Sequence, residues 1–310
     1  MKLLFVVDPL AGLKPYKDSS VAMMRAAQAR GHEIHACEAA HLYIRQGDAC
    51  ADCEALDVSA ADAWYRLRGK REWRLADFDA VVMRTDPPVD TGYLLATQLL
   101  GIAEANGARV LNRPQALRDC NEKLAILNFP QFTAPTLVAA QAVEIEAFLL
   151  EQRDIIVKPL TEMGGAGIFR LALHDPNRNA ILETLTRQGR RPIMAQRYLP
   201  EISEGDKRIL LIDGGVIPFA LARIPKAGET RGNLAAGGTA RVQPLTDRDR
   251  EIAETIAPWA RERGIFLAGI DVIGGHLTEI NVTSPTGFQE ISAQAGIDVA
   301  ARFIEALERG

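Results

Sequence analysis

The segment IIVKPLTEMGGAGIFR, residues 155–170, places a lysine and a cluster of glycines between two apolar runs. The run before Lys158 predicts a buried strand, and GIFRLAL after the glycines predicts another. Gly164, Gly165 and Gly167 would therefore lie in the loop that joins two strands. A glycine loop beside a strand lysine is typical of a hairpin whose backbone amides fold over a polyphosphate. The segment thus predicts a phosphate-binding hairpin.

Two other phosphate-binding loops do not fit this segment. A P-loop requires Gly-Lys-Ser/Thr leading into a helix, and the chain contains no such sequence. A dinucleotide fingerprint requires G-x-G-x-x-G at the start of a helix after the first strand. The glycines here have a different spacing and lie between two predicted strands, so the hairpin is the interpretation that remains.

The N-terminal part of the chain alternates predicted strands and helices. KLLFVVD, EIHACEA, DAVVMR and ARVLN predict strands, and SSVAMMRAAQARG predicts a helix with Ser19 or Ser20 as its N-cap and Gly31 as its stop. A further helix is predicted over residues 91–106, and Pro114 opens another. This alternation predicts an α/β fold that begins with an open, largely parallel sheet, in a domain over residues 1–120.

Two further units follow in the sequence. Residues 121–200 contain the glycine hairpin, the strand IMAQRYL and helices predicted over 144–152 and 179–188. Residues 201–310 contain strands at KRILLID and VIPFALARI, a helix over 247–263, a hairpin at IFLAGIDVIGGHLTEINVTSP and a closing helix. Residues 226–240 have four glycines and little apolar anchoring, which predicts a mobile lid that is poorly ordered without ligand.

Composition excludes several classes of partner. With 310 residues, 47% of them hydrophobic, the chain can bury two or three cores. A net charge of −4 argues against nucleic acid or an anionic membrane surface as the main partner. The N-terminal apolar run is cut short by Asp8 and Pro9, so it is too short for a signal segment or a membrane span. We expect a soluble, cytoplasmic protein.

The cysteines leave one alternative open. A zinc site needs four ligands that converge tetrahedrally, and the spacing of the histidines and cysteines near the N-terminus fits no common finger pattern. Ordinary cysteines in a reducing compartment are the favoured interpretation. The residues concerned are His35, Cys37, His41, Cys50 and Cys53.

Several motifs resemble one family over nearly the whole chain. They are VVDPLAGLKPYKDSS, VMRTDPPVD, NEKLAIL, IIVKPLTEMGGAGIFR, AQRYLPEISEGDKRILLIDG, LARIPKAGETRGNLAAGG and GIDVIGGHLTEINVTSPTG. In this order they are similar to the prokaryotic glutathione synthetase family of ATP-grasp ligases. The resemblance implies an ATP-grasp fold after a pre-ATP-grasp domain, and the ATP-dependent ligation of γ-glutamylcysteine to glycine through an acyl phosphate. It also implies Mg²⁺, or Mn²⁺ in its place, and a homo-oligomer that is a tetramer.

The resemblance implies a nucleotide site built from the hairpin and its neighbours. Lys123 and Lys158 would hold the α- and β-phosphates. The segment AQRYLP would form the hinge that binds adenine, and Asp206 would accept from the ribose hydroxyls. The full nucleotide set is Lys123, Lys158, Gly164, Gly165, Gln196, Tyr198, Leu199 and Asp206.

A metal site is predicted in the last hairpin. Glu279 and Asn281 are two residues apart on one strand, so their side chains share a face. A two-residue turn at Gly274 and Gly275 would place Asp271 opposite Thr278, on the wrong face. A three-residue loop or an equivalent bulge would place Asp271 opposite Glu279. Because Mg²⁺ prefers hard oxygen ligands, we predict the three-residue loop or an equivalent bulge, with Asp271, Glu279 and Asn281 as ligands.

The anionic dipeptide that the resemblance implies would require cations and hydroxyl donors. Arginine suits this role because its planar fork binds pairs of oxygens and neutralises developing charge. We assign Arg208, Arg223 and Lys158 to catalysis. The substrate-binding candidates are Asp18, Ser19, Arg84, Arg223, Arg231, Asn233, Ser284 and Thr286.

Three rival functions stay open at this point. One is another carboxylate–amine ligase of the same superfamily with a different acceptor. A second is a nucleotide-binding regulatory protein without turnover, which the retained lysines and metal candidates disfavour. A Rossmann oxidoreductase is the third, although no dinucleotide fingerprint follows the first strand.

Overall fold

The computed structural model describes residues 1–61, 63–226, 228, 232 and 237–310. Within these residues the chain forms three β-sheets that follow one another along the sequence. They span residues 2–111, 136–197 and 206–281. The α/β class is therefore confirmed, while the domain boundaries at 120 and 200 stay predictions.

The first sheet has parallel and antiparallel halves. Its strands in the described chain are β1 (Lys2–Val6), β2 (Glu33–Cys37), β3 (Leu42–Arg45), β4 (Asp48–Val58), β5 (Tyr65–Arg74), β6 (Ala80–Met83) and β7 (Val110–Leu111). β1 pairs in parallel with β2 and β6, and β6 pairs in parallel with β7. β4 pairs antiparallel with β2, β3 and β5. The parallel half was predicted, whereas strands β3 to β5 were not.

Three helices belong to this part of the chain, and the first corrects a predicted cap. They are α1 (Ser19–Ala29), α2 (Thr91–Ala105) and α3 (Pro114–Asp119). The N-cap of α1 is Asp18, whose carboxylate accepts from the backbone N–H of Val21 at 2.9 Å, so the prediction of Ser19 or Ser20 is wrong. A carboxylate competes well for this position because it also complements the positive end of the helix dipole.

The second sheet carries the glycine hairpin. Its strands are β8 (Thr136–Ala139), β9 (Asp154–Pro159), β10 (Phe169–Ala172) and β11 (Ile193–Arg197), all antiparallel, in the order β10-β9-β11-β8. Helices α4 (Ala142–Gln152) and α5 (Arg178–Leu185) pack on it over a small apolar core that includes Ile145, Ile155 and Leu182. The loop between β9 and β10 contains the glycines, as predicted.

The third sheet is antiparallel and contains the predicted metal hairpin. Its strands are β12 (Asp206–Ile212), β13 (Gly215–Ile224), β14 (Thr239–Pro244), β15 (Leu267–Ile273) and β16 (His276–Asn281), in the order β14-β13-β12-β15-β16. β14 was not predicted. It begins at Thr239, so residues 239 and 240, the last two of the predicted lid, lie in a strand.

Helices close the third sheet against the first. They are α6 (Asp247–Glu262), α7 (Phe288–Ala295) and α8 (Val299–Arg309), so the predicted closing helix is two helices. The break falls at Gly296, which has a φ of 67°, and the carboxylate of Asp298 caps α8. One apolar core contains Phe5 of β1, Leu210 of β12 and Phe303 of α8, so the first and third sheets are packed together.

A membrane-spanning role finds no support in the described part of the chain. None of its helices combines the length and the apolarity needed to cross a bilayer.

Candidate active site

A cleft of about 1110 Å³ lies between the second and third sheets. Strands β9 and β11 and the glycine loop line one side, and strands β12, β15 and β16 line the other. The cleft brings together all the predicted nucleotide, metal and catalytic residues. Those that line it are Lys123, Lys158, Gly164, Gly165, Gln196, Tyr198, Leu199, Asp206, Arg208, Arg223, Asp271, Glu279 and Asn281.

Two buried lysines from distant parts of the sequence approach the same carboxylate. Lys123 and Lys158 are each 4% exposed, and their Nζ atoms lie 3.7 and 3.6 Å from Oε1 of Glu279. Lys158 Nζ also donates to the carbonyl of Thr278 at 3.1 Å, and Lys123 Nζ donates to the carbonyl of Glu162 at 2.8 Å. Burial lowers the pKa of Lys158, and Glu279 opposes this effect. Two buried ammonium groups beside one carboxylate favour an anionic ligand.

Gly167 explains part of the loop's shape. It has a φ of 70°, and a Cβ there would lie 2.8 Å from Cγ of Pro159. Only glycine allows this backbone conformation at such a close approach. The loop therefore folds back over the end of strand β9, next to Lys158.

The hairpin of β15 and β16 has the predicted face pairing. Asp271 pairs directly with Glu279, and Gly269 pairs with Asn281. The turn itself has two residues, because Ile273 pairs with His276, and the register shifts at a bulge that leaves Thr278 as the extra residue. The equivalent bulge is therefore confirmed, and the three-residue loop is wrong.

The side chains of this hairpin form a polar cluster around Asp271. Asn281 Nδ2 donates to Oδ2 of Asp271 at 3.0 Å. Arg208 donates to both oxygens of Asp271, with Nε–Oδ1 at 2.5 Å and Nη2–Oδ2 at 2.9 Å, and Arg223 Nη2 lies 3.0 Å from Oδ2. Asp271 is thus held by two cations and one amide.

The donor set fits a magnesium ion that is shared with a nucleotide. Among the described residues, no cluster of three or more His, Cys, Asp and Glu side chains could hold a metal alone. Mg²⁺ is commonly bound by one or two carboxylates together with phosphate oxygens and water, which two carboxylates and an amide oxygen can complement. Asp271 and Glu279 supply carboxylates on adjacent strands, and Asn281 supplies the amide.

Burial and charge act in opposite directions on the ionisable groups of the cleft. Burial favours the protonated form of Asp271, but Arg208 and Arg223 hold the pKa of its carboxyl below the ordinary value. Burial raises the pKa of Asp206 to about 6, Arg223 opposes this, and Asp271 and Glu279 add to it. Burial also disfavours the charge on Arg223, yet Asp206 and Asp271 raise the pKa of its guanidinium above the ordinary value. Arg223 therefore stays a cation at any pH of interest.

A second cavity of about 1430 Å³ adjoins the cleft. The two cavities share Met163, Arg208 and Arg223. Asp18 and Thr286, both predicted substrate residues, line the second cavity. The two arginines therefore stand where the two cavities meet.

Comparison with known proteins identifies the family. A family model described as the prokaryotic glutathione synthetase N-terminal domain matches residues 1–118, and one described as the prokaryotic glutathione synthetase ATP-grasp domain matches residues 122–296. The chain belongs to the prokaryotic glutathione synthetase family.

Curated relatives cover the whole chain. A glutathione synthetase of Neisseria meningitidis serogroup A is 57% identical over 312 residues, which cover 99% of this chain and 98% of the relative. A glutathione synthetase of Ralstonia nicotianae is 54% identical and covers 100% of this chain and 96% of its own. The chain therefore carries glutathione synthetase activity, an ATP-grasp ligase reaction.

Solved structures show the ATP-grasp fold. The D-cycloserine synthetase DcsG superposes with a TM-score of 0.69 at 17% identity, covering 100% of this chain and 99% of its own. The ATP-grasp ligase PsnB, in complex with minimal precursor, Mg and ADP, superposes with a TM-score of 0.62 at 18% identity, covering 99% and 97%. Membership of the ATP-grasp family implies that ATP and Mg²⁺ bind.

Three residues predicted to bind the substrate line neither cavity. The hydroxyl of Ser19 is buried and accepts from the backbone N–H of Phe288 at 3.3 Å. Arg84 is buried, and it donates through Nε to Ser20 Oγ at 3.0 Å and through Nη2 to the carbonyl of Pro285 at 2.9 Å. Both residues thus support the segment around residues 285–288. Ser284 is the third, and all three assignments stay predictions.

Two other predicted substrate residues lie outside the described residues. They are Arg231 and Asn233, in the predicted lid. Of residues 226–240, the structure describes only 226, 228, 232 and 237–240, so the mobility of the lid stays a prediction.

The sequence reading missed several acidic side chains of the second cavity. Asp8 follows strand β1 and Asp86 follows strand β6, and both line the cavity together with Glu290. Asp8 Oδ2 accepts from the backbone N–H of Asp86 at 2.9 Å, and burial raises the pKa of Asp8. β1 and β6 are neighbouring parallel strands whose carboxyl ends meet, which is where open sheets place ligand residues. The same rule applies to Arg84, which directly follows β6, and it could have found both aspartates.

Proposed function

We propose that the chain ligates γ-glutamylcysteine to glycine, with ATP converted to ADP and phosphate. The observation that carries this proposal is the position of Arg208 and Arg223. They line both the cleft that contains the two lysines and the adjoining cavity. A phosphoryl group on a nucleotide in the cleft and a carboxylate in the second cavity would meet at these two guanidiniums.

The cleft residues are proposed to bind the nucleotide. Lys123 and Lys158 would neutralise the α- and β-phosphates, because their ammonium groups are buried and both lie within 4 Å of Oε1 of Glu279. The loop at Gly164 and Gly165 would cover the phosphates with backbone amides. The hinge from Gln196 to Leu199 would read the adenine edge, and Asp206 would accept from the ribose.

Asp271, Glu279 and Asn281 are proposed to hold Mg²⁺, with Mn²⁺ as an alternative ion. The ion would supply charge neutralisation between the terminal phosphates when bound. Glu279 is also the carboxylate that the two lysines approach, which supports a joint site for phosphate and metal.

Phosphoryl transfer activates the dipeptide carboxylate. An oxygen of the cysteinyl carboxylate forms a bond to the γ-phosphorus, and the bond from that phosphorus to ADP breaks. The amine of glycine then attacks the acyl carbon, loses a proton, and phosphate leaves. Arg208 and Arg223 would orient the carboxylate and neutralise the charge that develops on the transferred group.

The remaining predicted substrate residues are proposed to surround the dipeptide. Asp18 and Thr286 line the second cavity and would contact it directly. Ser284 lies next to the segment 285–288, which Ser19 and Arg84 support through hydrogen bonds. These three residues would act on the same ligand through that segment. A lid over residues 226–240, with Arg231 and Asn233, would protect the acyl phosphate from water.

Release of ADP with substrates omitted one at a time tests the reaction. Purified protein should release ADP only when ATP, Mg²⁺, γ-glutamylcysteine and glycine are all present, with glutathione formed in equal amount. A panel of other acid and amine pairs serves as the control. Faster turnover with another pair would favour a ligase with a different acceptor, and no turnover with any pair would favour a regulatory nucleotide-binding protein.

Lys158→Met tests the phosphate assignment. The substitution keeps an apolar stem and removes the charge, so we expect turnover to fall by about 100-fold and ATP affinity to weaken. Lys70→Met on strand β5 is the matched control, because Lys70 is exposed and remote in the first sheet. Normal turnover and ATP affinity in Lys158→Met would refute the assignment.

We also propose a homo-tetramer, as the family resemblance implies. Helix α2 exposes Leu94, Leu95 and Ile102, and apolar side chains grouped on one helix favour a protein contact. Light scattering should give four times the 33.8 kDa mass of one chain. A mass of one chain across the micromolar range would contradict the proposal.

A further inference from the structure

The segment 121–123 connects the two walls of the nucleotide cleft. Asn121 Nδ2 donates to the carbonyl of Leu160 at 2.9 Å, just after strand β9, which carries Lys158. Asn121 Oδ1 accepts from the backbone N–H groups of Lys123 and Leu124, both at 3.1 Å. This asparagine therefore ties the segment to the second sheet.

Glu122 ties the same segment to the third sheet at the end of strand β16. Its Oε1 accepts from the backbone N–H of Val282 at 2.9 Å, from the backbone N–H of Thr283 at 3.0 Å and from Thr283 Oγ1 at 2.8 Å. Its backbone carbonyl accepts from the N–H of Ile280 at 2.9 Å. The contacts fall on both sides of Asn281, so residue 122 fixes the strand immediately before and after this candidate metal ligand.

The arrangement links two functional groups that the sequence separates by more than 150 residues. Lys123 follows Glu122 directly, and its Nζ lies 3.7 Å from Oε1 of Glu279. Any shift between residue 122 and strand β16 would therefore change the distance between a phosphate-binding lysine and the metal-binding strand. Placement errors of about 1 Å in such sites cost large factors in rate or affinity.

The contacts of Glu122 differ from those of an ordinary surface carboxylate. Burial raises the pKa of Glu122, and its hydrogen bonds to Thr283 and Val282 oppose this effect. Three donors converge on one oxygen, and removing that oxygen would leave buried donors without an acceptor. A buried carboxylate with several hydrogen bonds can fix the position of the backbone that it binds. Residues that support metal ligands act in this way.

We propose that Glu122 is a positioning residue that sets the spacing between Lys123 and the strand carrying Glu279 and Asn281. This inference rests on the proposed function of the cleft. Glu122 borders the nucleotide cleft, but its Oε1 is already engaged by three donors at the end of strand β16, so we assign it to neither the phosphates nor the ion. It acts through the strand end and through its neighbour in sequence.

A graded series of variants tests the positioning role. Glu122→Gln keeps an acceptor oxygen of the same shape, Thr283→Val removes one of the three donors, and Glu122→Ala removes the acceptor. Calorimetric titration should show Mg·ADP affinity within about 3-fold of wild type for Glu122→Gln, weakened about 3-fold for Thr283→Val and weakened about 10- to 100-fold for Glu122→Ala. The affinity for γ-glutamylcysteine should change by less than about 2-fold throughout, since Glu122 does not line the second cavity.

Steady-state kinetics give a second readout. In Glu122→Ala the KM for Mg·ATP should rise and the KM for γ-glutamylcysteine should stay constant, with rescue by Glu122→Gln. A merely structural role would instead lower the unfolding midpoint and weaken both ligands together. Unchanged Mg·ADP affinity in folded Glu122→Ala, or a proportional loss of dipeptide affinity, would overturn the proposal.

Two outcomes separate this inference from the proposed function. If Glu122→Ala does not fold, Thr283→Val decides, and wild-type Mg·ADP affinity in that variant would overturn the proposal. If wild-type protein binds Mg·ADP but does not join γ-glutamylcysteine to glycine, the proposed function fails. The Mg·ADP titrations of the variants still measure the positioning effect in that case, because binding requires no turnover.

Discussion

Gly269 shows how tightly the residues of the site are packed. A Cβ there would lie 2.7 Å from Cδ of Arg208 and 2.9 Å from Cβ of Pro285, both closer than side chains tolerate. Gly269 is paired with Asn281, so the steric clash would displace side chains in the centre of the cleft. We expect Gly269→Ala to move Arg208 away from Asp271 and to lower kcat by at least about 10-fold. Steady-state kinetics with saturating Mg·ATP measure this change.

Gly101→Ala is the control for that substitution. Gly101 lies in helix α2, and a Cβ there would meet its nearest atoms, in Arg118, at 3.7 Å, which is ordinary contact. Alanine is the better helix former by about 1 kcal/mol, so this variant should be as stable as wild type or more stable, with normal kcat. Equal kcat in the two variants would show that the space around Gly269 does not matter for turnover.

At single positions the sequence predicted side chains whose chemistry is local. Lys158 is recognisable because it ends an apolar run before a glycine loop, and it lines the cleft. The engagement of Asp271 by Arg208 and Arg223 was not predicted, because it depends on how β12, β13 and β15 are aligned. The N-cap Asp18 was missed for a different reason. Aspartate and serine have similar N-cap propensities, so the residue types alone do not distinguish Asp18 from Ser19 or Ser20.

Among the elements, periodicity decided which strands were found. The alternation in β15 and β16 predicted the Asp271–Glu279 pairing, but two backbone solutions gave the same facing residues. Strand β5, YRLRGKREWR, was missed because its side chains are mostly charged and exposed, so no apolar period marks it. It is a strand because β4 pairs with it over nearly its whole length. Such tertiary pairing is invisible to a local pattern.

The segment that follows helix α1 is joined to helix α8 by a charged cluster that should respond to acid. Arg30 Nη2 lies 2.6 Å from Oε2 of Glu308, and His32 Nε2 lies 2.7 Å from Oε1. The bond from Arg30, and then that from His32, lower the pKa of Glu308 to about 2 from an ordinary 4.5. The cluster therefore stabilises the fold above pH 4.5, and this contribution is lost as pH falls from 4.5 towards 2.

Glu308→Gln should accordingly be less stable than wild type at pH 7. The difference in unfolding free energy between the two proteins should become smaller as the pH falls from 4.5 towards 2. Urea unfolding at pH 7, 4.5 and 3 measures it, at low salt because exposed pairs are screened. Glu183→Gln, at an exposed position of α5, is the control for the charge change. A difference that is constant with pH would mean that the ion pairs do not contribute.

At the scale of the whole molecule, the nucleotide cleft joins two sheets whose cores overlap little. The second sheet has a small core of its own around Ile145, Ile155 and Leu182, and Met194 of β11 joins it to the larger core of the third sheet. The third sheet also shares a core with the first. A ligand held by Lys158 on one side and by Glu279 on the other should therefore resist separation of the two sheets. Mg·ADP at 100 times its Kd adds about 2.7 kcal/mol. For a chain of 310 residues we expect the unfolding midpoint to rise by about 4 °C.

A thermal melt of Lys158→Met with the same Mg·ADP concentration completes the comparison. This variant should show a clearly smaller rise, because its affinity is weaker, while Lys70→Met should behave as wild type. A rise of equal size in all three proteins would place the nucleotide away from the lysine. Calorimetry on each variant without ligand corrects for any change in intrinsic stability.

The bulge at Thr278 has a consequence for sequence evolution. Because side chains alternate between the two faces of a strand, insertion or loss of one residue between Asp271 and Glu279 would turn one of them away from the other. Within GGHLT, substitutions should be tolerated in descendants of this gene mainly at His276 and Thr278, because Gly274 and Gly275 have positive φ and Leu277 is buried. Changes in its length should appear only as even numbers, or together with a second compensating insertion.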